Sequence, residues 1–447
     1  MLIYGAGRKS RKPPTPFVGY KLNGKSKVTV SAAMKTLSAK AKLGLMLCLA
    51  SLALPGLAAP WVQTTSLPDG CNSHTLSYAS GYLYNIGGTF NADGDAEGTN
   101  VLCAQVHSDG TIAAWTNTTS LPEAVLNHAA VIANGFVYVL GGYHYTDALG
   151  DVVSDIVYYN KVNTNDGSLG SWQTANPLPK NLIFLSASVW SNTIYVIGGL
   201  DENSQLQNAV YSAQIQSDGS LSQWITQPSL PISVYLQESA VNGFLYVLGG
   251  LINGGTQSST NVYITKIAAD GTLLGWNLTA PLPQRLEFFG SVTASGRVFA
   301  MGGDNDISVV NVFYNSSVMG DGSLNSWQTG IALPQQLEGF GVAVSGSYIF
   351  ISGGASPTQT QSTVYSMALP APPTTPQFVS RSFTNGNFQL QLASSTNTGF
   401  GLLASTNFTS WTNIGWGFTG TNGLLSFQDT NAAKFPKRFY RAYWPLP

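Results

Sequence analysis

The sequence predicts an all-β protein: a six-bladed β-propeller closed by an N-terminal strand, followed by a small β-sandwich-like domain. Three observations carry that expectation. Six apolar runs end in a Gly-Gly pair: YLYNIGG (82–88), FVYVLGG (136–142), TIYVIGG (193–199), FLYVLGG (244–250), RVFAMGG (297–303) and YIFISGG (348–354). Between them fall five copies of a seven-residue pattern that opens on Asp-Gly and closes on tryptophan: DGTIAAW (109–115), DGSLGSW (166–172), DGSLSQW (218–224), DGTLLGW (270–276) and DGSLNSW (321–327). The missing sixth tryptophan stands at the other end of the repeats, where WVQTTSLP (61–68) matches SWQTANPLP (171–179).

In chain order, the first 59 residues hold ten Lys/Arg and no Asp or Glu. MKTLSAKAK (34–42), LGLMLCLASLAL (43–54) and PGLAA (55–59) read as the basic, apolar and cleavage regions of a secretory signal peptide, cut after Ala58 or Ala59. The apolar run is too short for a comfortable transmembrane span. Met34 is the more natural start, so residues 1–33 read as a non-native or extended N-terminus. The expected location is secreted, periplasmic or at the cell surface. From residue 60 onward the chain carries ten basic and 21 acidic side chains, and residues 60–369 alone carry five and 20. Such a surface attracts neither nucleic acid nor an anionic membrane. Cys48 leaves with the signal, and Cys71 with Cys103 is no disulfide framework; the two form either one bridge or two buried thiols.

Residues 60–369 form the repeat region, with a period of 51 to 57 residues. An aromatic stands three places before each first glycine (Tyr84, Tyr138, Tyr195, Tyr246, Phe299, Phe350), and a Leu-Pro stands 18 or 19 residues ahead of it. After the glycines come a variable loop, a β-branched strand such as NVYITKI (261–267), the Asp-Gly turn and the tryptophan strand. Each unit thus reads as four short strands, the size of a kelch-type blade. The Gly-Gly pair, the aromatic before it and the downstream tryptophan resemble the kelch β-propeller family, and LNHAAVIANGFVYVLGG (126–142) is close to its usual pattern. Trp61, Trp115, Trp172, Trp224, Trp276 and Trp327 are expected to be structural, packing between blades. Full burial of one indole contributes up to about 4–6 kcal/mol. The resemblance implies a blade-packing role for His74 and His128 as well.

The Asp-Gly copies also look like the Asp-box of sialidase propellers, but glycine and tryptophan stand one and six places after the aspartate rather than two and five. They are read instead as tight hairpins, since both residues tolerate positive φ. In a four-stranded blade these turns point one way, and the Gly-Gly loops and Leu-Pro connections the other. The second face varies in length and chemistry. The third residue after each proline is apolar or cysteine (Cys71, Val125, Leu182, Val234, Leu286, Leu337) and reads as core. The residues that follow project towards the channel mouth. This makes Tyr235, Glu287 and Glu338 ligand-binding candidates, with Arg285 beside them and Asp304 in the neighbouring loop. Tyr143, His144 and Tyr145 form an aromatic loop suited to stacking on sugar or peptide. Glu287 and Glu338, equivalent in adjacent blades, fit an acid/base pair or two solvated acids.

No catalytic residue, metal site or cofactor is assigned. Asp93, Asp95 and Glu97 alternate as calcium ligands do, yet the glycine and glutamate of an EF-hand are not in register. Zinc-protease, phosphate-loop and nucleophile-elbow motifs do not occur. Cys71 on a core position and Cys103 within a strand do not supply the copper set of galactose-oxidase-type kelch enzymes. After PAPPTTP (370–376), a stiff linker, residues 377–447 alternate as short strands. STNFTSWTNIG (405–415) and SFQDTNAAKFPKRFYRAYWP (426–445) resemble a C-terminal module of secreted Verrucomicrobia proteins, which implies an export-associated appendage. The expected function is non-catalytic binding of a glycan or protein by a monomer. The alternatives are a sugar mutarotase, similar to the bacterial sialic-acid mutarotases and acting through Glu287, Glu338 and Arg285, or a purely structural envelope protein.

Overall fold

The computed structural model describes residues 60–90, 96–146, 150–235, 238–241, 243–252, 254–268, 270–319, 321–369, 376–384, 387–394, 399–408, 411–420 and 422–443. The signal segment, residues 1–33, Asp93, Asp95 and the linker up to residue 375 lie outside the described residues. Apart from one short 3-10 turn at Ala432–Lys434, the secondary structure described is β.

Each repeat is an antiparallel four-stranded sheet. Unit two is typical: Ala129–Ala133, Phe136–Leu140, Val157–Lys161 and Gln173–Thr174 pair in that order. The second strand is apolar throughout because it is covered on both faces, and Phe136 to Leu140 are all buried. Ser80-Gly81, Asn134-Gly135 and Ser295-Gly296 turn the chain from first to second strand with positive φ at both residues. That is the two-residue hairpin chemistry expected of the Asp-Gly pairs. At the Asp-Gly turns only the glycine is left-handed, and the aspartate acts otherwise. Its Oδ1 accepts the N–H and hydroxyl of the residue two places on, at 3.0 and 2.7 Å for Asp218 and Ser220.

The sixth sheet contains Gly341–Val344, Tyr348–Ser352 and Val364–Ala368, and its fourth strand is Val62–Thr64 from the start of the region. Val62 pairs with Ser366 and Thr64 with Val364. The hydrophobic core is distributed over six clusters, each shared by two neighbouring units. One of them joins unit six (Ala343, Phe350, Val364) to unit one (Leu76, Leu83, Leu102).

Two sets of repeated hydrogen bonds tie the units together. Every repeat tryptophan donates its indole N–H to the carbonyl four residues beyond the preceding tryptophan. Trp115 bonds Thr65, Trp172 bonds Thr119, Trp224 bonds Asn176, Trp276 bonds Pro228 and Trp327 bonds Ala280, at 2.8–3.1 Å. Trp61 completes the set on Ile331 at 3.1 Å. The indoles are half-buried rather than enclosed, so they contribute less by burial than a core tryptophan and add a directed bond. At the other end, the second glycine of each Gly-Gly pair donates to the core residue of the next connection: Gly88 to Val125, Gly142 to Leu182, Gly199 to Val234, Gly250 to Leu286, Gly303 to Leu337 and Gly354 to Cys71. The first glycine passes so close to that carbonyl that a Cβ on Gly249 would lie 2.6 Å from the Leu286 oxygen. Glycine is required there by both space and φ.

The C-terminal segment forms two three-stranded sheets. Gln377–Thr384, Asn387–Ala393 and Leu424–Asp429 make one; Thr412–Phe418, Gly399–Ser405 and Phe439–Tyr443 make the other. Leu390, Leu402 and Phe427 form its small core. The buried Asp429 accepts the Tyr440 hydroxyl at 3.0 Å and sits 2.8 Å from the Arg438 guanidinium. Among the described residues no helix is long and apolar enough to cross a membrane.

Candidate functional site

The antiparallel register sends the Gly-Gly loops and Leu-Pro connections to one end of the sheets and the Asp-Gly turns to the other. At the loop end the third residues after proline are buried as core. The fifth residue after proline is left-handed in each unit where it is described: Ser73, Asn127, Phe184, Phe288 and Gly339, with φ of 50–58°. In that conformation N–H and carbonyl bond to the equivalent residues of neighbouring units. Asn127 donates to Ser73, Phe184 to Asn127, Gly339 to Phe288 and Ser73 to Gly339, at 2.9–3.2 Å. Two phenylalanines in this region are unusual, each costing about 1–2 kcal/mol of strain.

The half-buried rings of Phe184 and Phe288 meet edge to face at 6.1 Å, and Tyr235, from the unit between them, packs on Phe184 at 5.9 Å. Glu287 directly precedes Phe288 and exchanges two backbone bonds with Asp304, at 2.8 and 2.9 Å. Glu338, its counterpart in unit six, bridges to Ala355. Arg285 is exposed and reaches the Asp306 carboxylate at 3.4 Å. The first strands of the units line a cavity of about 290 Å³, with Tyr78, Ile132, Val189, Ser239, Thr293 and Val344 among its residues, an apolar and hydroxyl surface.

The two glutamates are not solvated acids. Burial, reinforced by Asp304, Asp306 and Glu338, pushes the Glu287 carboxyl up to about 8. Burial and Asp304 push Glu338 up to about 7. Asp304 is also raised, chiefly by burial. Tyr235 is raised by burial and by the nearby Glu287. The Oε2 of Glu287 is shielded from solvent and has no hydrogen-bond partner among the described residues. At the opposite end the sign reverses: hydrogen bonds from Thr111, Ser168, Ser220 and Ser323 hold Asp109, Asp166, Asp218 and Asp321 below the ordinary carboxylate range.

The structure therefore brings Tyr235, Arg285, Glu287, Asp304 and Glu338 together and leaves Tyr143, His144 and Tyr145 in a separate arm. That arm, Tyr143–Thr146, pairs with Ala124–Leu126 and Gly150–Val153. His144 departs from the expectation of a ligand-facing residue. It is 1 % exposed, its Nε2 lies 3.1 Å from the Gly141 carbonyl and its Nδ1 lies 3.0 Å from the Glu123 carboxylate. Both nitrogens are taken and the ring stacks on Tyr158, so it fixes the arm to its sheet. Tyr143 is half-buried; the Tyr145 side chain lies outside the described residues. Phe184, Phe288 and Asp306 are the additions. The two phenylalanines follow Ile183 and Glu287 in LPKNLIFL (178–185) and LPQRLEFF (282–289). That place was the available signal.

His74 and His128 are buried between units, with Nε2 at 3.0 Å from the Ser352 hydroxyl and 3.1 Å from Thr75. Burial lowers them to about 4 and about 3, so both are neutral. Cys71 and Cys103 are free and buried, and burial pushes the Cys71 thiol up to about 12. Among the described residues no group of His, Cys, Asp and Glu is arranged to hold a metal ion.

No family model matches the chain. Similar curated proteins carry kelch repeats. Kelch-like protein terF of Aspergillus terreus is 26% identical over 305 residues, covering 63% of this chain and 60% of that protein. Beta-scruin of Limulus polyphemus is 26% identical over 198 residues, 42% of this chain and 20% of that one. Kelch-like protein 26 of Danio rerio is 25% identical over 228 residues, 50% and 34%. The chain thus spans under two thirds of the length of these relatives. Among solved structures, "Structure of YjhT" superposes with a TM-score of 0.54 at 15% identity, covering 68% of this chain and 96% of that chain. These similarities support a kelch-type family and, with the all-β sheets, a kelch-type β-propeller architecture.

Proposed function

We propose that residues 60–369 are a six-bladed kelch-type propeller, closed by the strand after Trp61, that binds a protein or glycan partner at its loop-bearing mouth without catalysis. One observation carries this reading: aromatic rings from three successive units converge beside two half-buried carboxyls at the end of the sheets where loop chemistry varies. The kelch-repeat relatives favour a protein partner. In this reading the chain is exported after cleavage near Ala58, and residues 377–447 form an export-associated appendage. The test combines a glycan array with protein pull-down, using Phe184→Leu with Phe288→Leu as the control. Binding that survives both substitutions would remove the mouth from the proposal. Mass measurement of the exported chain checks the cleavage position.

A second reading, sugar mutarotation, draws on the same pair: Glu287 and Glu338, both held near neutrality, are poised to exchange protons. Anomer exchange followed by NMR separates the two. Acceleration lost in Glu287→Gln would establish the enzyme; binding without acceleration leaves the binding module.

A further inference from the structure

Resting on the mouth as the binding site, we propose that its ligand is a cationic side chain, a lysine or arginine presented by a basic segment of a partner protein, held against the aromatic rings and the two glutamates. Two independent features lead there. The first is aromatic. Phe184, Tyr235 and Phe288 come from three adjacent units, and the rings are tilted at 55° and 88° to one another instead of stacked flat. Half-buried aromatic rings gathered beside carboxyls form a surface that attracts an ammonium or guanidinium group. Holding the phenylalanines there requires left-handed backbone at both.

The second is the unmet acceptor. Glu287 Oε2 is shielded from water and no donor among the described residues reaches it. Glu338, Asp304 and Asp306 act electrostatically on the same carboxyl, and the cation described nearby, Arg285, lies against Asp306. An unpaired carboxyl in that setting holds its proton, as both glutamates do near neutrality. An arriving cation replaces that proton as the partner of the carboxylate. Proton release and cation uptake are thereby linked: affinity rises as pH climbs through about 7 and about 8. An anionic or neutral guest would show no such gain. The region's balance of five basic to 20 acidic residues supplies the matching long-range attraction.

The experiment titrates hexalysine, hexaglutamate and a neutral Gly-Ser peptide of equal length into the intact protein by calorimetry, at pH 6 and pH 8.5 and in two buffers of different ionisation enthalpy. Hexalysine is expected to bind, more tightly at pH 8.5, and to release protons. The isosteric pair Glu287→Gln with Glu338→Gln should weaken it at least tenfold and abolish the proton release. Phe184→Leu or Phe288→Leu should weaken it several-fold, and Asp218→Asn at the opposite end should leave it unchanged. Absence of hexalysine binding overturns the inference, as does equal binding to the Gln pair, which would mean diffuse attraction to an acidic surface. If the neutral peptide or hexaglutamate binds instead and is lost with the phenylalanines, the mouth stands and the cation does not. If no ligand responds to any mouth substitution, both readings fall.

Discussion

Single residues act here through bonds that cross from one sheet to the next. An indole such as Trp224 covers part of the interface and points one N–H at a carbonyl 48 positions earlier in the chain. Trp224→Ala should therefore cost about 2–3 kcal/mol by denaturant unfolding, less than a fully buried aromatic loses. Trp224→Phe should recover the packing but not the bond. Gly249→Ala should be as damaging for another reason. At φ +58° and 2.6 Å from the Leu286 oxygen, the new methyl meets backbone that cannot swing away, so a loss of about 2–4 kcal/mol is expected. Glu287 and Glu338 give a pH signature. Their folded pKa values stand above the unfolded value, so the native state binds more protons and stability falls as pH rises from about 4.5 to about 8. Glu287→Gln should raise the melting temperature at pH 8.5, and the gain should vanish by pH 5. The repeated glycines, tryptophans and aromatics were legible because six copies repeat one local requirement. The left-handed phenylalanines were not: φ preference alone would place glycine or asparagine there, as Gly339 and Asn127 do. Four of the six aromatics before Gly-Gly also carry a hydroxyl used between units, Tyr84 to Gly167, Tyr138 to Gly219, Tyr195 to Gly271 and Tyr246 to Gly322. Phe299 and Phe350 hide that role from a pattern that reads only ring shape.

Among the elements, Val62–Thr64 has the largest effect for its three residues. Without it, Val364–Ala368 is left as an edge with unpaired N–H and carbonyl groups, which invites association. Deleting residues 60–65 removes this pairing together with the Trp61–Ile331 bond. The truncated chain should lose several kcal/mol in denaturant titration and should self-associate by light scattering; an unchanged monomer would mean that the strand is dispensable. Its match to SWQTANPLP made this element visible in the sequence. The small sheets at the loop end were not visible. Cys71–Asn72 with Thr89–Phe90, and Leu251–Ile252 with Gln257–Ser258, are two residues long. Runs that short carry no readable period. The setting of His144 is hidden from the sequence for a related reason. An aromatic run in a variable loop looks available until pairing with Ala124–Leu126 turns the imidazole onto Glu123.

For the molecule as a whole, the core of the repeats is spread over clusters shared by neighbouring units rather than gathered at one centre. Each unit is bonded to a neighbour on both sides, which predicts one cooperative transition rather than the progressive fraying of an open repeat array. Hydrogen exchange should find the amides of Gly88, Gly199 and Gly354 comparably protected. In the chain lacking residues 60–65, protection should fail first in units one and six. The pairing of the first strand with the last repeat also orders events in time. Val62 cannot meet Ser366 until some 300 residues have been made after it, so the first strand leaves the ribosome long before its partner exists. A chain halted before Val364 stays unlatched, with the edge of the sixth sheet and its apolar interface to unit one open to proteases. The latch thus doubles as a check on completeness of the repeats: only a chain that has reached Ser366 can pair Val62 and complete the last sheet.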